Sequence, residues 1–333
     1  MVAPIGKRNT AYRPLFPYFG GKAPVASIVW EALGDVANYV EPFFGSGAVL
    51  FLRPGGAGHI ETVNDADGLV ANFWRSVQGH PDEVAFHADN PVNECDLHAR
   101  HLWLIGNRER ITERLMGDPN YCDPKAAGWW AWGMSCWIGS GWCSGTGPWA
   151  VEDGEMVLGN PGQGVNRQLP HLGDPGKERL AWLAAEIGRF SARLRNVRVC
   201  SGDWARVCGP SVTYRHGLTG VFLDPPYADT AGRTDNLYAT DSNMVSHDAR
   251  AWAITHGMNP LMRIVLAGYE GEHAMPADWT AVEWQAAGGY GLIGEDENGT
   301  GRANRRRERL WLSPHCVRAR QADLFSALGE ASA

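Results

Sequence analysis

The amino-acid sequence predicts an α/β fold, in which a mostly parallel sheet carries helices on both faces and is interrupted by a largely helical insertion. Short apolar runs, typical of buried strands, end abruptly at an acid or a glycine, and helical patterns separate them. From about residue 80 to residue 195 the strand pattern disappears. With 333 residues the chain is long enough for one large domain with an insertion, or for two domains.

The first element combines aromatic residues, a glycine turn and a cation. The segment Phe16 to Lys22 reads Phe-Pro-Tyr-Phe-Gly-Gly-Lys and precedes a helix predicted over Val25 to Leu33. The two glycines allow the backbone to approach a ligand closely. An ordinary turn before a helix is the alternative interpretation.

A strand, a glycine turn and a helix follow. Tyr39 to Gly47 reads Tyr-Val-Glu-Pro-Phe-Phe-Gly-Ser-Gly, and an apolar helical start follows over Ala48 to Phe51. Such a loop brings bare backbone against a ligand, as in nucleotide-type pockets. The sequence has no Gly-x-x-x-x-Gly-Lys-Ser/Thr pattern, which disfavours a phosphate-binding P-loop.

The second predicted strand, Ile60 to Asp65, ends in an acid about twenty residues after the glycine loop. A carboxylate at the tip of the neighbouring strand can accept hydrogen bonds from both hydroxyls of a ribose. Asp67 precedes a helical pattern from Leu69 to Val77, which is typical of a helix N-cap. We therefore assign the cap to Asp67 and the ribose to Asp65.

In the middle of the chain, helices predicted over Leu97 to Leu115 and Lys177 to Leu194 flank a loop-rich centre, Trp129 to Asp174. This centre contains side chains that can contact base edges or stack on bases. They are Trp137, Ser140, Trp142, Ser144, Asn166, Arg167, Gln168 and His171. That the tryptophans simply fill an irregular core is an equally good interpretation.

A buried strand, Val221 to Leu223, ends in Asp224, Pro225, Pro226 and Tyr227. Because the prolines cannot continue a sheet ladder, the strand stops at the carboxyl edge of the sheet, where open α/β folds bind ligands. The carboxylate and a proline carbonyl can each accept one hydrogen of an amino group on a planar ring, and the tyrosine can stack on that ring. A plain strand with a Pro-Pro turn is the alternative.

Other strands are predicted over Val197 to Cys200, Arg263 to Glu270, Trp279 to Trp284 and Leu310 to Leu312, and a helix over His247 to Met258. The polar segment Ala228 to Ser246 is expected to be mobile and to close over the site. The glycine-rich loop Ala286 to Arg307 ends in arginines that suit phosphate contacts.

These motifs resemble those of the Dam-type DNA adenine-N6 methyltransferases. The resemblance rests on Asp-Pro-Pro-Tyr at Asp224 to Tyr227, on Glu-Pro-Phe-x-Gly-x-Gly from Glu41, and on the early Gly-Gly-Lys, in the same chain order. It implies a Rossmann-like fold that uses S-adenosylmethionine as cofactor. It further implies a catalytic domain formed by residues 1–80 and 196–318, a target-recognition insertion at 81–195, and a tail at 319–333.

The resemblance also implies roles for individual residues. The catalytic set is Asp224, Pro225, Pro226 and Tyr227, and the cofactor-binding set is Tyr18, Lys22, Glu41, Pro42, Phe43, Gly45, Gly47, Asp65, Asp203 and Trp204. The DNA-binding candidates come instead from the two arginine-bearing segments beside the site, and they are Arg233, Arg302, Arg305, Arg306 and Arg307.

The expected reaction is methylation of N6 of a flipped-out adenine in a specific sequence of double-stranded DNA, in a phage or restriction-modification setting. The resemblance implies no metal and no obligate protein partner. An N4-cytosine DNA methyltransferase and a catalytically inactive DNA-binding relative remain alternatives.

Composition limits the partners and the compartment. The net charge of −7 has the wrong sign for a surface that binds DNA throughout, so DNA contacts must be local. Seven cysteines without a Cys-x-x-Cys pair indicate neither a disulfide framework nor a zinc ribbon. Since no run of about eighteen apolar residues and no signal-peptide pattern is present, we expect a soluble cytoplasmic protein without a membrane partner.

Overall fold

The computed structural model describes residues 14–18, 21–56, 59–137, 141–143, 149–152, 155–158, 178–226, 243–284 and 308–317. In chain order its strands are β1 (Asn38–Glu41), β2 (Ile60–Asp65), β3 (Trp149–Glu152), β4 (Glu155–Leu158), β5 (Val197–Ser201), β6 (Thr219–Leu223), β7 (Met262–Tyr269), β8 (Thr280–Glu283) and β9 (Glu308–Leu312). Its α-helices are α1 (Ala26–Leu33), α2 (Ala48–Phe51), α3 (Gly68–Gly79), α4 (Pro81–Ala88), α5 (Glu94–Gly117), α6 (Pro124–Cys136), α7 (Arg179–Leu194) and α8 (Asn243–Gly257). Short 3₁₀ turns occupy Trp204–Val207 and Tyr214–His216.

Seven of the described strands form one mostly parallel sheet in the order β5-β2-β1-β6-β7-β9-β8, which confirms the α/β class. Strand β9 runs antiparallel to both of its neighbours. The chain runs outward from β1 through β2 to β5, and then returns to the other side of β1 for β6 and β7. This reversal opens a crevice at the carboxyl ends of β1 and β6, where ligands bind in open α/β sheets. The sheet is therefore compatible with a Rossmann-like fold.

Both faces of the sheet are covered by helices, as the sequence predicts. Side chains alternate across the strands, so that Tyr39 and Phe222 join one core while Val40 and Val221 join the other. Helices α1 and α3 contribute to the first core, and α8 contributes to the second. All five residues of β6 are buried, which explains why Val221, Phe222 and Leu223 are apolar in succession rather than in alternation.

Helices α4, α5 and α6 of the middle region pack against α3, which covers one face of the sheet. Val84 of α4, Ile111 of α5 and Trp130 of α6 belong to the same core as Phe73 of α3. The side chain of Asp67 accepts a hydrogen bond from the backbone N–H of Leu69 over 2.9 Å, which confirms the predicted N-cap of α3. Among the described residues, no helix is both long and apolar enough to cross a membrane.

The prediction of a loop-rich centre from Trp129 was wrong for two parts of that region. Helix α6 continues to Cys136, because Asp123 caps its first turn and both Trp130 and Trp132 are buried against neighbouring helices. Residues 149–158 contain the antiparallel pair β3 and β4. The sequence Asp153-Gly154 between the two short runs is the usual signal for such a hairpin.

Candidate functional site

A cavity of about 260 Å³ lies at the carboxyl edge of the sheet. Most of the residues predicted to bind the cofactor or to act in catalysis line it, namely Tyr18, Lys22, Glu41, Pro42, Phe43, Gly45, Asp65, Asp203, Trp204, Asp224 and Pro226. Pro225 and Gly47 are not among the lining residues. Residues that are far apart in the sequence thus meet at one site, because most of them end or follow a strand of the same sheet, while Tyr18 and Lys22 come from the segment before α1.

The turn after β1 requires glycine at Gly45. This residue has φ of 47°, and a Cβ atom added there would lie 2.5 Å from the ring of Tyr18. Its backbone N–H donates to Asp65 Oδ2 over 2.9 Å, and its carbonyl accepts from Trp74 Nε1 over 2.8 Å. The turn is therefore fixed from both sides, with Tyr18 lying directly against it.

Gly47 has a different reason to be glycine. With φ of 71° it precedes helix α2, and a Cβ atom would lie 2.6 Å from Phe51 and 2.7 Å from Phe44. Close packing against these two rings, rather than approach of a ligand, accounts for the absence of a side chain. A Gly-x-Gly pattern alone does not distinguish these two requirements.

Asp65 ends β2 with its carboxyl group directed at the glycine turn. One oxygen accepts from the N–H of Gly45 and the other from the N–H of Asp67, each over 2.9 Å. Burial and the neighbouring Asp67 carboxylate raise the pKa of Asp65 to about 7, although the two N–H donors and Arg108 oppose the rise. Arg108 Nη2 lies 2.7 Å from Asp67 Oδ2, so helix α5 is anchored beside this carboxyl group.

An aromatic wall lies on the other side of the cavity. The rings of Phe43 and Trp204 stack with centroids 5.8 Å apart and an angle of 29° between their planes. A third ring fits between two stacked rings only if those rings are about 7 Å apart, which is twice the van der Waals contact distance. A planar ligand can therefore lie against this pair of rings but not between them. Asp203, beside Trp204, accepts from the N–H of Ala205 and so caps the following 3₁₀ turn.

Glu41, the last residue of β1, is buried. Tyr39 Oη donates to Glu41 Oε2 over 2.9 Å, and the backbone N–H of Leu50 also donates to this carboxyl group. Burial nevertheless raises the pKa of Glu41 well above its ordinary value, and the Asp224 carboxylate contributes to the rise. This environment therefore favours the protonated form of Glu41 more than water does.

Asp224 forms an ion pair with Lys22. Lys22 Nζ lies 3.1 Å from Asp224 Oδ1 and 3.9 Å from Glu308 Oε2. Burial lowers the pKa of Lys22, but the two carboxylates outweigh it, so the pKa of Lys22 is raised overall. The ion pair belongs to the cavity itself, because Lys22, Asp224 and Gly45 all line it.

Two residues next to Lys22 were not predicted from the sequence. Glu308, the first residue of β9, faces Lys22, and the ring centroid of Trp284 lies 5.8 Å from Lys22 Nζ. Neither belongs to a recognisable motif. The sequence feature that could have indicated them is their position, since Trp284 precedes and Glu308 follows the glycine-rich loop Ala286 to Arg307.

Several predicted residues lie outside the described part of the chain. They are Tyr227, Arg233, Arg302, Arg305, Arg306 and Arg307, the segment 319–333, and Ser140, Ser144, Asn166, Arg167, Gln168 and His171 of the middle region. Their roles stay predictions.

Comparison with protein-family models gives no match to this chain, and comparison with curated proteins gives none either. The chemistry of the cavity must therefore be interpreted from its own residues.

Proposed function

We propose that this protein transfers a methyl group from S-adenosylmethionine to N6 of an adenine flipped out of double-stranded DNA. The observation that supports the proposal is the single cavity that joins the strand-end acid Asp224 to the glycine turn at Gly45. A donor held at the turn and an amino group held at the acid would lie within the same crevice. The sequence resemblance described above supplies the reaction class.

The residues of the cavity fit the proposed cofactor. A carboxylate has about four acceptor sites, so Asp65 keeps room for two ribose hydroxyls after its two N–H bonds. Asp203 and the wall formed by Phe43 and Trp204 suit the amino group and the face of an adenine ring. The turn at Gly45 is the proposed contact of the amino-acid end. When bound, S-adenosylmethionine supplies an electrophilic methyl group on a sulfonium.

The residues after β6 are assigned to the target base. An amino group on an aromatic ring is a poor nucleophile because its lone pair is delocalised into the ring. Asp224 and the carbonyl of Pro225 would each accept a hydrogen bond from this amino group, which would localise the lone pair on its nitrogen. Tyr227 would stack on the extruded base. Lys22, paired to Asp224, keeps a positive charge beside the acceptor.

DNA contacts are proposed to come from restricted parts of the chain. The overall charge of −7 argues against binding over the whole surface. We assign phosphate contacts to Arg233, Arg302, Arg305, Arg306 and Arg307, and recognition of the target sequence to the insertion at 81–195.

The test is transfer of a tritiated methyl group from S-adenosylmethionine to double-stranded DNA, followed by nucleoside analysis. We expect N6-methyladenine with the wild-type protein and none with Asp224→Ala, which should keep its fold and its affinity for the cofactor. Asp35→Ala is the matched control, because the side chain of Asp35 is 90% exposed and does not line the cavity.

Undiminished transfer by Asp224→Ala would refute the assignment of the acceptor. Formation of N4-methylcytosine would instead identify the alternative base. Absence of any transfer, with DNA binding retained, would identify an inactive DNA-binding protein.

A further inference from the structure

Glu308 lies directly behind Lys22 as seen from the cavity. Lys22 lines the cavity and Glu308 does not, although Lys22 Nζ is only 3.9 Å from Glu308 Oε2. The Glu308 side chain is 10% exposed, so nine-tenths of it is removed from solvent. A ligand in the cavity would therefore contact Lys22 and Asp224, and among the described residues it is Lys22 that connects Glu308 to the cavity.

Within the part of the chain that the structure describes, Glu308 has a buried acceptor without a hydrogen-bond donor. Among the described residues, its Oε2 atom makes no hydrogen bond. A buried carboxylate oxygen without a donor is costly, and native proteins rarely keep one without a reason. Consistent with this, burial raises the pKa of Glu308, while Lys22 lowers it and Asp224 raises it. The Lys22 ammonium group thus lies near two carboxylates, and of these two it is within hydrogen-bond distance of Asp224 alone.

The proposed reaction requires the acid that Lys22 now occupies. Asp224 must accept a hydrogen from the target amino group, but its Oδ1 already holds the Lys22 ammonium at 3.1 Å. A cation on the same carboxylate also draws electron density away from it, which weakens it as an acceptor. Release of Lys22 from Asp224 would remove this weakening, provided that the cation has another partner within reach.

We propose that Glu308 is a second partner for Lys22, which receives the ammonium group when the target amino group binds to Asp224. The movement needed is about 1 Å, from 3.9 Å to the usual length of a charged hydrogen bond. The Trp284 ring, 5.8 Å from Lys22 Nζ, lies beside the ammonium group and favours a cation there. Glu308 is then a positioning residue, and the inference rests on the proposed function of Asp224 as the amino-group acceptor.

The movement of Lys22 can be tested without DNA and without turnover. Asp224→Asn keeps the shape of the acid but removes its charge, so Lys22 should transfer to Glu308. A crystal structure of this variant should show Lys22 Nζ within about 3.2 Å of Glu308 Oε2. A Lys22 that stays on residue 224, or turns into the cavity, would overturn the inference.

The kinetic test uses Glu308→Gln, which keeps the size of the side chain but removes the charge that receives Lys22. We expect the single-turnover methylation rate to fall by about tenfold to a hundredfold, while the dissociation constants for S-adenosylmethionine and DNA change by less than about twofold. The matched control is Glu283→Gln on the neighbouring strand, whose side chain is 81% exposed. It should leave the rate unchanged.

The outcomes separate the two proposals. A normal rate in Glu308→Gln, or a parallel loss of both affinities and melting temperature, would overturn the positioning role while leaving methylation by the wild-type protein intact. If the wild-type protein methylates no DNA, the proposed function fails. The structure of Asp224→Asn then still decides whether Glu308 receives Lys22.

Discussion

Acidic pH should weaken binding of an adenosine ligand through protonation of Asp65. Burial and the Asp67 carboxylate raise the pKa of Asp65 to about 7, against the opposing effect of the N–H donors and of Arg108. Ribose hydroxyls donate hydrogen bonds, and the ionised carboxylate is the better acceptor. Ligand affinity should therefore be highest above pH 7 and should fall as the pH drops through 7, because Asp65 then becomes protonated in the ligand-free protein.

The size of the effect follows from that pKa. With a pKa of about 7, Asp65 is about 90% ionised at pH 8 and about 10% ionised at pH 6. A ligand that binds only the ionised form should lose about tenfold in affinity over this range, which corresponds to about 1.4 kcal/mol. Among the described residues, no histidine lines the cavity and adds to the effect.

Isothermal titration calorimetry with 5′-methylthioadenosine at pH 6, 7 and 8 measures this dependence. This probe keeps both ribose hydroxyls and lacks the amino-acid group, whose own titration would otherwise contribute. Asp65→Asn should bind more weakly at pH 8 and show no pH dependence. A constant wild-type affinity between pH 6 and 8, or an equal slope in Asp65→Asn, would refute the reasoning.

Three further variants test the framework of the cavity. Gly45→Ala should lower the free energy of unfolding by about 2–3 kcal/mol in urea, because a Cβ would clash 2.5 Å from an aromatic ring, whereas Gly56→Ala, at φ of 70° in open space, should cost only about 1 kcal/mol. Equal losses would show that the clash is relieved. Arg193→Met removes a guanidinium 2.6 Å from the buried Glu61, which keeps Arg53 at 3.0 Å, and should cost about 2 kcal/mol with unchanged ligand affinity, so an unaltered urea midpoint would contradict the argument. Trp204→Leu removes a ring face of the cavity and should weaken binding of 5′-methylthioadenosine by about tenfold, as measured by calorimetry, with the far-ultraviolet spectrum unchanged.

Features that depend on a few consecutive residues could be predicted from the sequence. The strand ending at Leu223, the acid at the tip of β2 and the cap at Asp67 each follow from a local pattern of burial, turn residues or capping. The carboxyl-edge rule for parallel sheets then placed Glu41, Asp65 and Asp224 at one site before any distance was known. The cavity confirms that these residues share one location.

Features that depend on contacts between distant segments could not be predicted. The ion pair of Lys22 with Asp224 joins the segment before α1 to the end of β6, and Glu308 approaches Lys22 because β9 pairs antiparallel with β7. No local pattern specifies which acid a lysine will meet across a sheet. The hairpin of β3 and β4 is a different case, because the Asp-Gly signal was present and the high glycine and tryptophan content of the region obscured it.

The negative charges of the acids in the cavity are compensated in two ways, by an ion pair and by bound protons. Asp224 is balanced by the ammonium group of Lys22, whereas burial favours a bound proton on Glu41 and, near neutral pH, partly on Asp65. A ligand that carries positive charge can replace those protons, so its binding is coupled to proton release. In the proposed reaction the positive charge would leave the donor with the methyl group and would then be lost with the proton that the target nitrogen gives up. The same acids would therefore stabilise the demethylated cofactor less than the charged donor, which would favour its release.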